Sequence, residues 1–320
     1  MSNNLKEKLC KNLKENVTLA PYTTFKIGGT AKYFIEVSDS QQLLDAVKLA
    51  EEEKLPYFIL AGGSNILVAD HGFDGLVIKV NGTSIKVDGT TVTAYAGVNF
   101  SKLINETAKI GLCGLERLIG IPGTIGGAVS GNAGAFGCSI SDYIEEVEYF
   151  KDGKIQKCHS KQCQFDYRQS IFKGQKFVIL TVKLKLKQGN KVEIQKTIKE
   201  TLKERGKVKY TGPNAGSIFK NIIFNQVDKN KVMKGLDINE AEYNKVVKHG
   251  KLPVGYVVEA LGYNGKKVGG AKILESHGNV IINTGNAKAA DVVMLISMIK
   301  QKVRNKLGIQ LQEEIQMVGF

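Results

Sequence analysis

The spacing of apolar residues along the chain predicts helices separated by short strands. After Ser40 the apolar positions fall at helical intervals, at Leu43, Leu44, Val47 and Ala50. Pro56 lies beyond the end of this predicted helix, because proline cannot continue one. The same pattern predicts helices over residues 100–110, 190–205, 254–261 and 287–307, and a short charged helix over residues 1–16. Gly111 is expected to end the helix over residues 100–110.

Shorter apolar runs predict strands between these helices. They cover residues 57–60, 66–69, 76–80, 84–87, 91–96, 147–150, 154–158, 177–186, 217–219, 279–283 and 313–318. Asp88-Gly89 and Asp152-Gly153 are dipeptides typical of tight hairpin turns. Apolar residues alternate with lysines near the end of residues 177–186, which predicts that one face of this strand contacts solvent.

Length and cysteine content narrow the class of protein. A chain of 320 residues can bury a large core in two or three domains. It has no run of 18 apolar residues that could form a transmembrane helix, and its first residues lack the apolar region of a secretory signal. The five cysteines have no C-x-x-C spacing, which is typical of reduced thiols in the cytoplasm. Cys158, His159 and Cys163 lack a fourth ligand at a usual spacing, so no metal is expected.

The formal net charge of +14 favours an anionic partner. Nucleic acid is one candidate. However, only four of the 45 basic residues are arginine, and the lysines are scattered rather than clustered. This distribution is equally typical of a solvated surface, and the same charge would attract a nucleotide diphosphate. We therefore expect neither a nucleic-acid partner nor a membrane partner.

Glycine is concentrated in one stretch of the chain. Residues 111–137 hold nine glycines in 27 positions, against 35 in 320 overall. Glycine lets main-chain N–H groups approach a ligand closely, and successive N–H groups can hold a phosphate. The stretch contains neither the Gly-Lys-Ser/Thr of a Walker loop nor the G-x-G-x-x-G of a dinucleotide fold. Glycine content alone is equally compatible with a diphosphate site and with a series of tight turns.

A second loop favours the diphosphate site. Residues 61–65, Ala-Gly-Gly-Ser-Asn, lie between two predicted strands and could add backbone and hydroxyl donors around an anion. Two loops of this kind suit a dinucleotide better than a mononucleotide.

Both loops resemble the FAD-binding segments of the UDP-N-acetylenolpyruvoylglucosamine reductase family, which carries out the reductive step of peptidoglycan precursor synthesis. The family belongs to the flavoprotein superfamily typified by vanillyl-alcohol oxidase. The resemblance begins near Thr23 and follows the family's order. It rests on residues 60–65, 120–137, 165–172, 213–221, 268–271, 280–287 and 311–319.

The resemblance implies an α+β fold with two domains. A two-lobed FAD-binding domain would cover residues 1–206, split near residue 90, and a smaller α+β substrate-binding domain would cover residues 207–320. FAD would be bound non-covalently, NADPH would be the co-substrate, and UDP-N-acetylglucosamine enolpyruvate would be reduced to UDP-N-acetylmuramate. A cytoplasmic, monomeric oxidoreductase is expected. The implied cofactor-binding residues are Gly62, Gly63, Ser64, Asn65, Pro122, Gly123, Thr124, Gly126, Gly127, Asn132, Ala133 and Gly134.

The resemblance also assigns roles in the reaction. Reduction of an enol ether requires a hydride, which no side chain supplies, stabilisation of the developing negative charge, and a proton. Arg168 falls on the family's catalytic arginine, Ser217 on its proton donor and Glu314 on its glutamate near the enolpyruvyl group. Taken without the resemblance, these residue types are more typical of a surface ion pair, a turn and a polar strand face. The residues expected to contact substrate are Tyr167, Lys220 and Asn221.

The chain departs from the family pattern where the nucleotide sugar would be held. Gln316 stands where the family usually has arginine, and Ile222 where it usually has proline. Nine residues separate Arg168 from Val178, too few for the tyrosine-bearing loop that covers substrate in one branch. Residues 222–250 form an extra segment. Asn239 is expected to cap a short helix there that ends at Gly250 and either covers the substrate or packs on its domain.

Two other functions remain as alternatives. One is a sugar or alcohol oxidase of the same superfamily, whose flavin is often tethered to His or Cys. His71 is the local candidate for such a tether, although it is more typical of a loop residue. The other alternative is a basic nucleic-acid-binding protein without catalytic activity.

Overall fold

The computed structural model describes residues 12–174, 177–207, 211–223, 228–247 and 250–320. The α-helices are α1 (Ser40–Glu52), α2 (Phe100–Lys109), α3 (Ile125–Ser130), α4 (Lys191–Gly206), α5 (Lys229–Leu236), α6 (Glu240–Val246), α7 (Val254–Ala260) and α8 (Ala289–Leu307). The strands are β1 (Lys14–Thr18), β2 (Thr30–Val37), β3 (Tyr57–Leu60), β4 (Ile66–Val68), β5 (Phe73–Val80), β6 (Ile85–Asp88), β7 (Thr91–Tyr95), β8 (Leu112–Cys113), β9 (Gly134–Ala135), β10 (Cys138–Ser139), β11 (Ile144–Lys151), β12 (Lys154–His159), β13 (Val178–Lys185), β14 (Lys187–Gln188), β15 (Asn214–Ser217), β16 (Ile222–Ile223), β17 (Lys251–Leu252), β18 (Lys267–Val268), β19 (Ala271–Ile273), β20 (Val280–Asn283) and β21 (Gln316–Val318).

The chain divides into two compact units that are not simple halves of the sequence. The first unit contains the described parts of residues 1–17, 31–62 and 73–208, and the second contains those of residues 18–30, 63–72 and 209–320. One boundary lies close to the predicted division between residues 206 and 207. The short segments 18–30 and 63–72 belong to the second unit. The predicted division at one point in the sequence did not include such an exchange of segments.

The first unit contains a parallel β-α-β arrangement. Its four-stranded sheet has the order β1-β2-β5-β3, with β2 and β3 both parallel to β5. Helix α1 provides the crossover between β2 and β3, as parallel strands require. At the start of α1, the Asp39 side chain accepts a hydrogen bond from the Gln42 N–H. The four apolar residues that predicted this helix are all buried, which confirms the predicted helical face.

The second sheet of this unit is antiparallel and has the order β12-β11-β13-β7-β6. Its two predicted hairpin turns are confirmed, with positive φ angles of 56° at Gly89, 48° at Asp152 and 76° at Gly153. Glycine and aspartate tolerate this left-handed conformation better than most residues. Side chains of both sheets and of the helices α1 and α2 contribute to one hydrophobic core.

The second unit is built on a four-stranded sheet of order β15-β20-β19-β18. A separate parallel pair joins β4 to β21. Helix α8 packs on the sheet and contributes the largest group of buried residues to the core of this unit, including Val292, Leu295 and Ile299. The Asp70 carboxylate accepts hydrogen bonds from the first two N–H groups of α8, at 2.7 and 3.0 Å.

Two predictions for local structure are wrong. Residues 14–18 form strand β1 instead of the end of a charged helix, because pairing with β2 outweighs the modest helix propensity of a Lys-Glu segment. The remaining residues of that predicted helix, 1–11, lie outside the described residues. Gly250 does not end the helix capped by Asn239, because α6 already ends at Val246, followed by an extended Val247.

Within the extra segment, side chains of the helices α5 and α6 pack in the core of the second unit. The cap predicted at Asn239 is confirmed, since its side chain accepts a hydrogen bond from Glu242 N–H at 2.9 Å. Tyr243 is 1% exposed and lies in the same hydrophobic core as α8. The structure therefore favours the packing alternative over the substrate cover for this helix.

A pH-dependent contribution to stability is expected from Asp291, in the first turn of α8. Hydrogen bonds from the N–H groups of Lys288 and Gly270 hold the pKa of its carboxyl below the ordinary value of 3.8. Because this folded-state pKa is depressed, the stabilisation is present above pH 3.8 and is lost as the pH falls through the folded-state pKa. Asp291→Ala should therefore lower the melting temperature at pH 7, and the difference from wild type should narrow under acid conditions. Asp74→Ala, at an 85% exposed side chain, is the control and should change little. A difference that stays constant down to pH 2 would contradict the role of the carboxylate.

Candidate functional site

The two glycine-rich loops meet in the first unit at Gly62 and Gly123. A Cβ atom built on Gly62 would lie 2.4 Å from the Cα atom of Gly123, and the obstructing atoms are all main chain. The neighbouring main chain cannot yield as a flexible side chain would, so only glycine fits at residue 62. Two loops that the sequence places far apart thus form one surface of closely approaching backbone, which is suited to a ligand held by peptide groups.

Lys79 holds the loop of residues 61–65 through a hydrogen bond, a role that the sequence analysis did not predict. It lies on β5 opposite Leu60, and its ammonium group donates a hydrogen bond to the carbonyl oxygen of Ala61. Burial lowers the pKa of Lys79. The signal in the sequence was a single lysine within the apolar strand Leu-Val-Ile-Lys-Val, where a charged side chain requires a specific partner.

Part of the long glycine stretch forms helix α3, and the N–H groups at its start donate to acceptors within the protein. The N–H groups of Ile125 and Gly126 donate to the carbonyls of Val98 and Ala96, both at 2.9 Å. The N–H of Gly127 donates to the Thr124 hydroxyl at 3.3 Å, which caps α3. These three groups hold the loop in place. The cofactor-binding role assigned to Thr124, Gly126 and Gly127 stays a prediction.

Close packing explains one of these glycines without a ligand. A Cβ on Gly126 would lie 2.8 Å from the Cβ of Ala96. Glycine at this position therefore allows α3 to approach the chain that follows β7. Within the glycine stretch, Gly126 therefore serves close packing and Gly123 the approach of the two loops, while the diphosphate site stays a prediction.

Asn132 fixes the end of the glycine stretch. Its side chain is 6% exposed and donates to the Asp166 carbonyl at 2.9 Å, while its Oδ1 atom accepts from the Ser141 N–H at 3.3 Å. Next to it, the Ala133 N–H donates to the Ala128 carbonyl at 2.8 Å. Asn132 therefore connects the stretch to the turn that carries Arg168, and its predicted contact with cofactor remains untested.

Arg168 lies at the corner of a tight turn. Asp166 and Gln169 exchange two main-chain hydrogen bonds, of 3.0 and 3.1 Å, which leaves Tyr167 and Arg168 at the tip. Arg168 has a φ of 55°, a left-handed conformation that costs a non-glycine residue about 1–2 kcal/mol. Its guanidinium group donates to the Gly134 carbonyl at 2.9 Å. The turn and this hydrogen bond together fix both ends of the arginine side chain.

In the second unit, main-chain pairing brings together the segments that carry Ser217, Lys220 and Glu314. The Glu314 N–H donates to the Ile218 carbonyl at 2.8 Å, and the Lys220 N–H donates to the Gln312 carbonyl at 2.9 Å. Ser217 precedes Ile218 at the end of β15. Ser217 and Lys220 thus lie on a segment that is hydrogen-bonded to the segment of Glu314, which follows almost 100 positions later in the sequence.

The structure also separates Glu314 from its neighbour. The Glu313 carboxylate forms an ion pair of 2.6 Å with Lys300 of α8, and both side chains are 29% exposed. Glu313 therefore has a structural partner on the helix, and the role of Glu314 in the reaction stays a prediction.

The loop of residues 63–65 is bonded to the strand that leads to Ser217. The Asn65 side-chain amide donates to the Ala215 carbonyl at 3.3 Å, and its own carbonyl accepts from the Gln316 N–H at 3.0 Å. The Thr24 hydroxyl donates to the Asn214 carbonyl at 2.7 Å. Within this unit, one part of the predicted flavin loop and the predicted proton-donor strand therefore belong to the same hydrogen-bonded framework.

The remaining predicted site residues lie in different environments. The Asn221 side chain accepts a hydrogen bond from the Val254 N–H at 3.2 Å and so holds the start of α7. Pro122 is exposed, while Ser64 and Lys220 are half-buried. Their predicted contacts with cofactor or substrate stay predictions.

The cysteine cluster does not have the form of a metal site. The sulfur atoms of Cys158 and Cys163 are buried and 3.0 Å apart, whereas the exposed His159 ring contacts the Glu145 carbonyl at 3.3 Å. Among the residues that the structure describes, no group of three or more His, Cys, Asp or Glu side chains is arranged to hold a metal ion. Over the same part of the chain, no helix has the length and apolar character needed to cross a membrane.

Comparisons with known proteins identify the family. Residues 207–318 match the UDP-N-acetylenolpyruvoylglucosamine reductase, C-terminal domain, and residues 31–159 match an FAD binding domain. A UDP-N-acetylenolpyruvoylglucosamine reductase of Solibacter usitatus is 37% identical over 303 residues, covering 94% of this chain and 95% of that protein. The chain belongs to the UDP-N-acetylenolpyruvoylglucosamine reductase family. The reductase of Carboxydothermus hydrogenoformans is 36% identical over 324 residues, with 98% of each chain covered.

A solved structure of a family member supports the same assignment. The UDP-N-acetylenolpyruvylglucosamine reductase of Thermus caldophilus is similar with a TM-score of 0.75 and 31% identity, covering 96% of this chain and 99% of that one. The predicted fold class is confirmed: an FAD-binding domain is followed by the C-terminal domain of the reductase family, and both contain helices and strands.

The contact between Gly62 and Gly123 leads to a test of the glycine surface. Gly62→Ala places a methyl group 2.4 Å from main chain, so we expect the loop to shift and FAD to bind more weakly. Overpacking of this kind typically costs about 1–3 kcal/mol. FAD affinity can be measured by fluorescence quenching during reconstitution of the apoprotein, together with the melting temperature.

Gly131→Ala is the matched control, in the glycine stretch that contains Gly123. Its φ is −90°, and the nearest atom to a new Cβ would be 3.7 Å away. This variant should bind FAD as wild type does. Equal FAD affinity in both variants would show that the approach of the two loops does not shape the flavin site.

Proposed function

We propose that this protein reduces UDP-N-acetylglucosamine enolpyruvate to UDP-N-acetylmuramate, with FAD bound non-covalently and NADPH as the reductant. The observation that carries the proposal is the pairing of Ile218 with Glu314. This pairing supports the proposal, because Ser217, which the resemblance matches to the family's proton donor, directly precedes Ile218. The similarity to named reductases over more than nine-tenths of the chain supports the same activity.

The residues of the first unit fit an FAD molecule. Gly62 and Gly123 bring the main chain of the two loops together with no side chain between them, which suits a phosphate held by peptide N–H groups, and Lys79 holds the Ala61 carbonyl of the same loop. When bound, FAD supplies the hydride that the reaction requires. In this unit the resemblance assigns FAD contacts to Gly62, Pro122, Gly123 and Thr124; it assigns further contacts to Gly63, Ser64 and Asn65, which belong to the second unit.

The protein's own residues provide charge and a proton. Hydride addition to one carbon of the enol ether leaves negative charge on the neighbouring carbon and its carboxylate. Arg168 is suited to stabilise this charge, because its planar guanidinium can contact a carboxylate through two hydrogen bonds. Ser217 then donates its proton to the carbanionic carbon and recovers one from solvent. Glu314 and Lys220 would orient the enolpyruvyl group and polarise the serine hydroxyl.

Location and assembly follow from the proposed activity. The substrate is a cytoplasmic nucleotide sugar, so we propose a cytoplasmic enzyme. The absence of C-x-x-C spacing among the five cysteines agrees with this location. We propose a monomer that binds neither nucleic acid nor a membrane. The net charge of +14 would attract the substrate's diphosphate.

The absorption spectrum of the purified protein separates this proposal from its alternatives. Acid precipitation should release a yellow flavin into the supernatant. Colour that stays in the pellet would indicate a covalent tether and favour an oxidase. A protein that remains colourless and fails to bind added FAD would contradict the assignment.

Gln316 is expected to limit the affinity for the nucleotide sugar. Its side chain is exposed at the start of β21, where the family usually has arginine. Gln316→Arg should lower KM for the nucleotide sugar through added positive charge, without changing the rate at which NADPH bleaches the flavin. Gln316→Lys tests charge without the planar group. If neither variant alters KM, residue 316 does not contact the substrate.

Ser217 can be tested because the two half-reactions need different groups. Reduction of the flavin by NADPH requires hydride transfer alone, so Ser217→Ala should leave flavin bleaching unchanged. Reoxidation by the enolpyruvyl substrate requires a proton, and this step should slow about 10²–10⁴-fold. Stopped-flow absorbance measures both rates. Arg168→Lys should also slow the second step, because lysine keeps the charge but loses the planar pair of donors. Equal slowing of both steps by Ser217→Ala would indicate a role in shape only, and no slowing would refute the assigned role.

A further inference from the structure

The buried Asn279 side chain makes two complementary hydrogen bonds to Phe219, which lies in the proton-donor segment, residues 217–220. The Asn279 side chain is 3% exposed. Its Oδ1 atom accepts from the Phe219 N–H at 2.9 Å, and its Nδ2 atom donates to the Phe219 carbonyl at 2.8 Å. A buried amide with both ends bonded fixes its partner in position and orientation, since loss of either bond leaves a polar group unpaired away from water.

Asn279 forms part of a continuous set of main-chain bonds. Its own carbonyl accepts from the Ile218 N–H at 2.8 Å. On the other side of the segment, the Ile218 carbonyl accepts from Glu314 and the Lys220 N–H donates to Gln312. Five consecutive polar groups, from the Ile218 N–H to the Lys220 N–H, are therefore bonded, and three of these bonds go to Asn279.

The position of these bonds at the end of a strand explains why a side chain is used. The pairing of β15 with β20 ends at Ser217 and Val280. One further main-chain bond joins the Ile218 N–H to the Asn279 carbonyl, and at Phe219 the side-chain amide of Asn279 takes the place of a peptide group. The Asn279 N–H in turn donates to the His277 ring at 3.3 Å, which holds the asparagine itself.

We propose that Asn279 is a positioning residue that fixes the segment from Ser217 to Lys220 for reduction of the enolpyruvyl substrate. The inference rests on the proposed function, in which both ends of this segment act on substrate. An amide is the side chain required, because it offers one donor and one acceptor side by side. Aspartate would place an oxygen, which cannot donate, against the Phe219 carbonyl, and leucine would bond to neither group.

Asn279→Asp and Asn279→Leu test the proposal in the full-length, FAD-loaded enzyme. Flavin bleaching by NADPH should remain within about 2-fold of wild type, whereas reoxidation at saturating substrate should slow about 10²-fold, the scale of a misplacement near 1 Å. Amide hydrogen exchange should become faster at residues 218–220 in both variants. This exchange measurement does not depend on activity.

Asn283→Asp is the matched control. Asn283 is also a buried asparagine of this unit, 6% exposed, and its amide donates to the carbonyls of Phe25 and Lys26 instead of the proton-donor segment. It should lower the melting temperature as the Asn279 variants do, while the ratio of the two half-reaction rates stays at the wild-type value. The same ratio in all three variants, or failure of both Asn279 variants to fold and bind FAD, would overturn the positioning role and leave Asn279 as a general part of the core.

Ser217→Ala, measured in parallel, separates this inference from the proposed function. If Asn279→Asp slows reoxidation and Ser217→Ala does not, the serine assignment fails and the positioning role is supported through Lys220. If Ser217→Ala slows reoxidation and neither Asn279 variant does, the serine assignment stands and the inference about Asn279 is wrong.

Discussion

At Gly62 the main chain of one loop lies against the main chain of another at Gly123, with no room for a side chain between them. Hydrogen bonds on both sides hold this contact in place. Lys79 holds the carbonyl that precedes Gly62, and the main-chain bonds of α3 hold the chain that follows Gly123. Farther along, Asn132 and Gly134 hold the turn of Arg168. The position of the arginine is therefore determined through a series of peptide contacts that begins at two glycines.

The sequence predicted those features whose cause is local. Helix α1 follows from apolar spacing alone, and the hairpin turns follow from residues that tolerate a positive φ. The glycine stretch could be recognised in the sequence. The sequence did not show which of its N–H groups donate to acceptors within the protein. That depends on the carbonyls of Ala96 and Val98, which only tertiary structure brings near. Strand β1 was missed for the same reason, because a neighbouring strand outweighed the helix propensity of its residues.

The candidate site could be assigned residue by residue only through the resemblance. Spacing alone favoured a surface ion pair for Arg168 and a turn for Ser217, and the more specific roles stay predictions. Arg168 occupies a left-handed conformation that its turn stabilises, and the segment after Ser217 has its peptide groups bonded on both sides. Asn279 gave no signal, since an isolated asparagine before an apolar strand is common. Its importance depends on a partner 60 residues away.

The interleaving of the two units bears on how the chain folds during synthesis. The second unit contains residues 18–30 and 63–72, and β4 in the latter segment pairs with β21 at residues 316–318. A ribosome releases residues 63–72 long before the strand that completes their pairing exists. Closing so long a loop costs entropy before any contact offsets it, which slows folding and leaves intermediates populated. The apolar β4 must stay unpaired during this interval. It is therefore the segment where a chaperone would protect the nascent protein from aggregation.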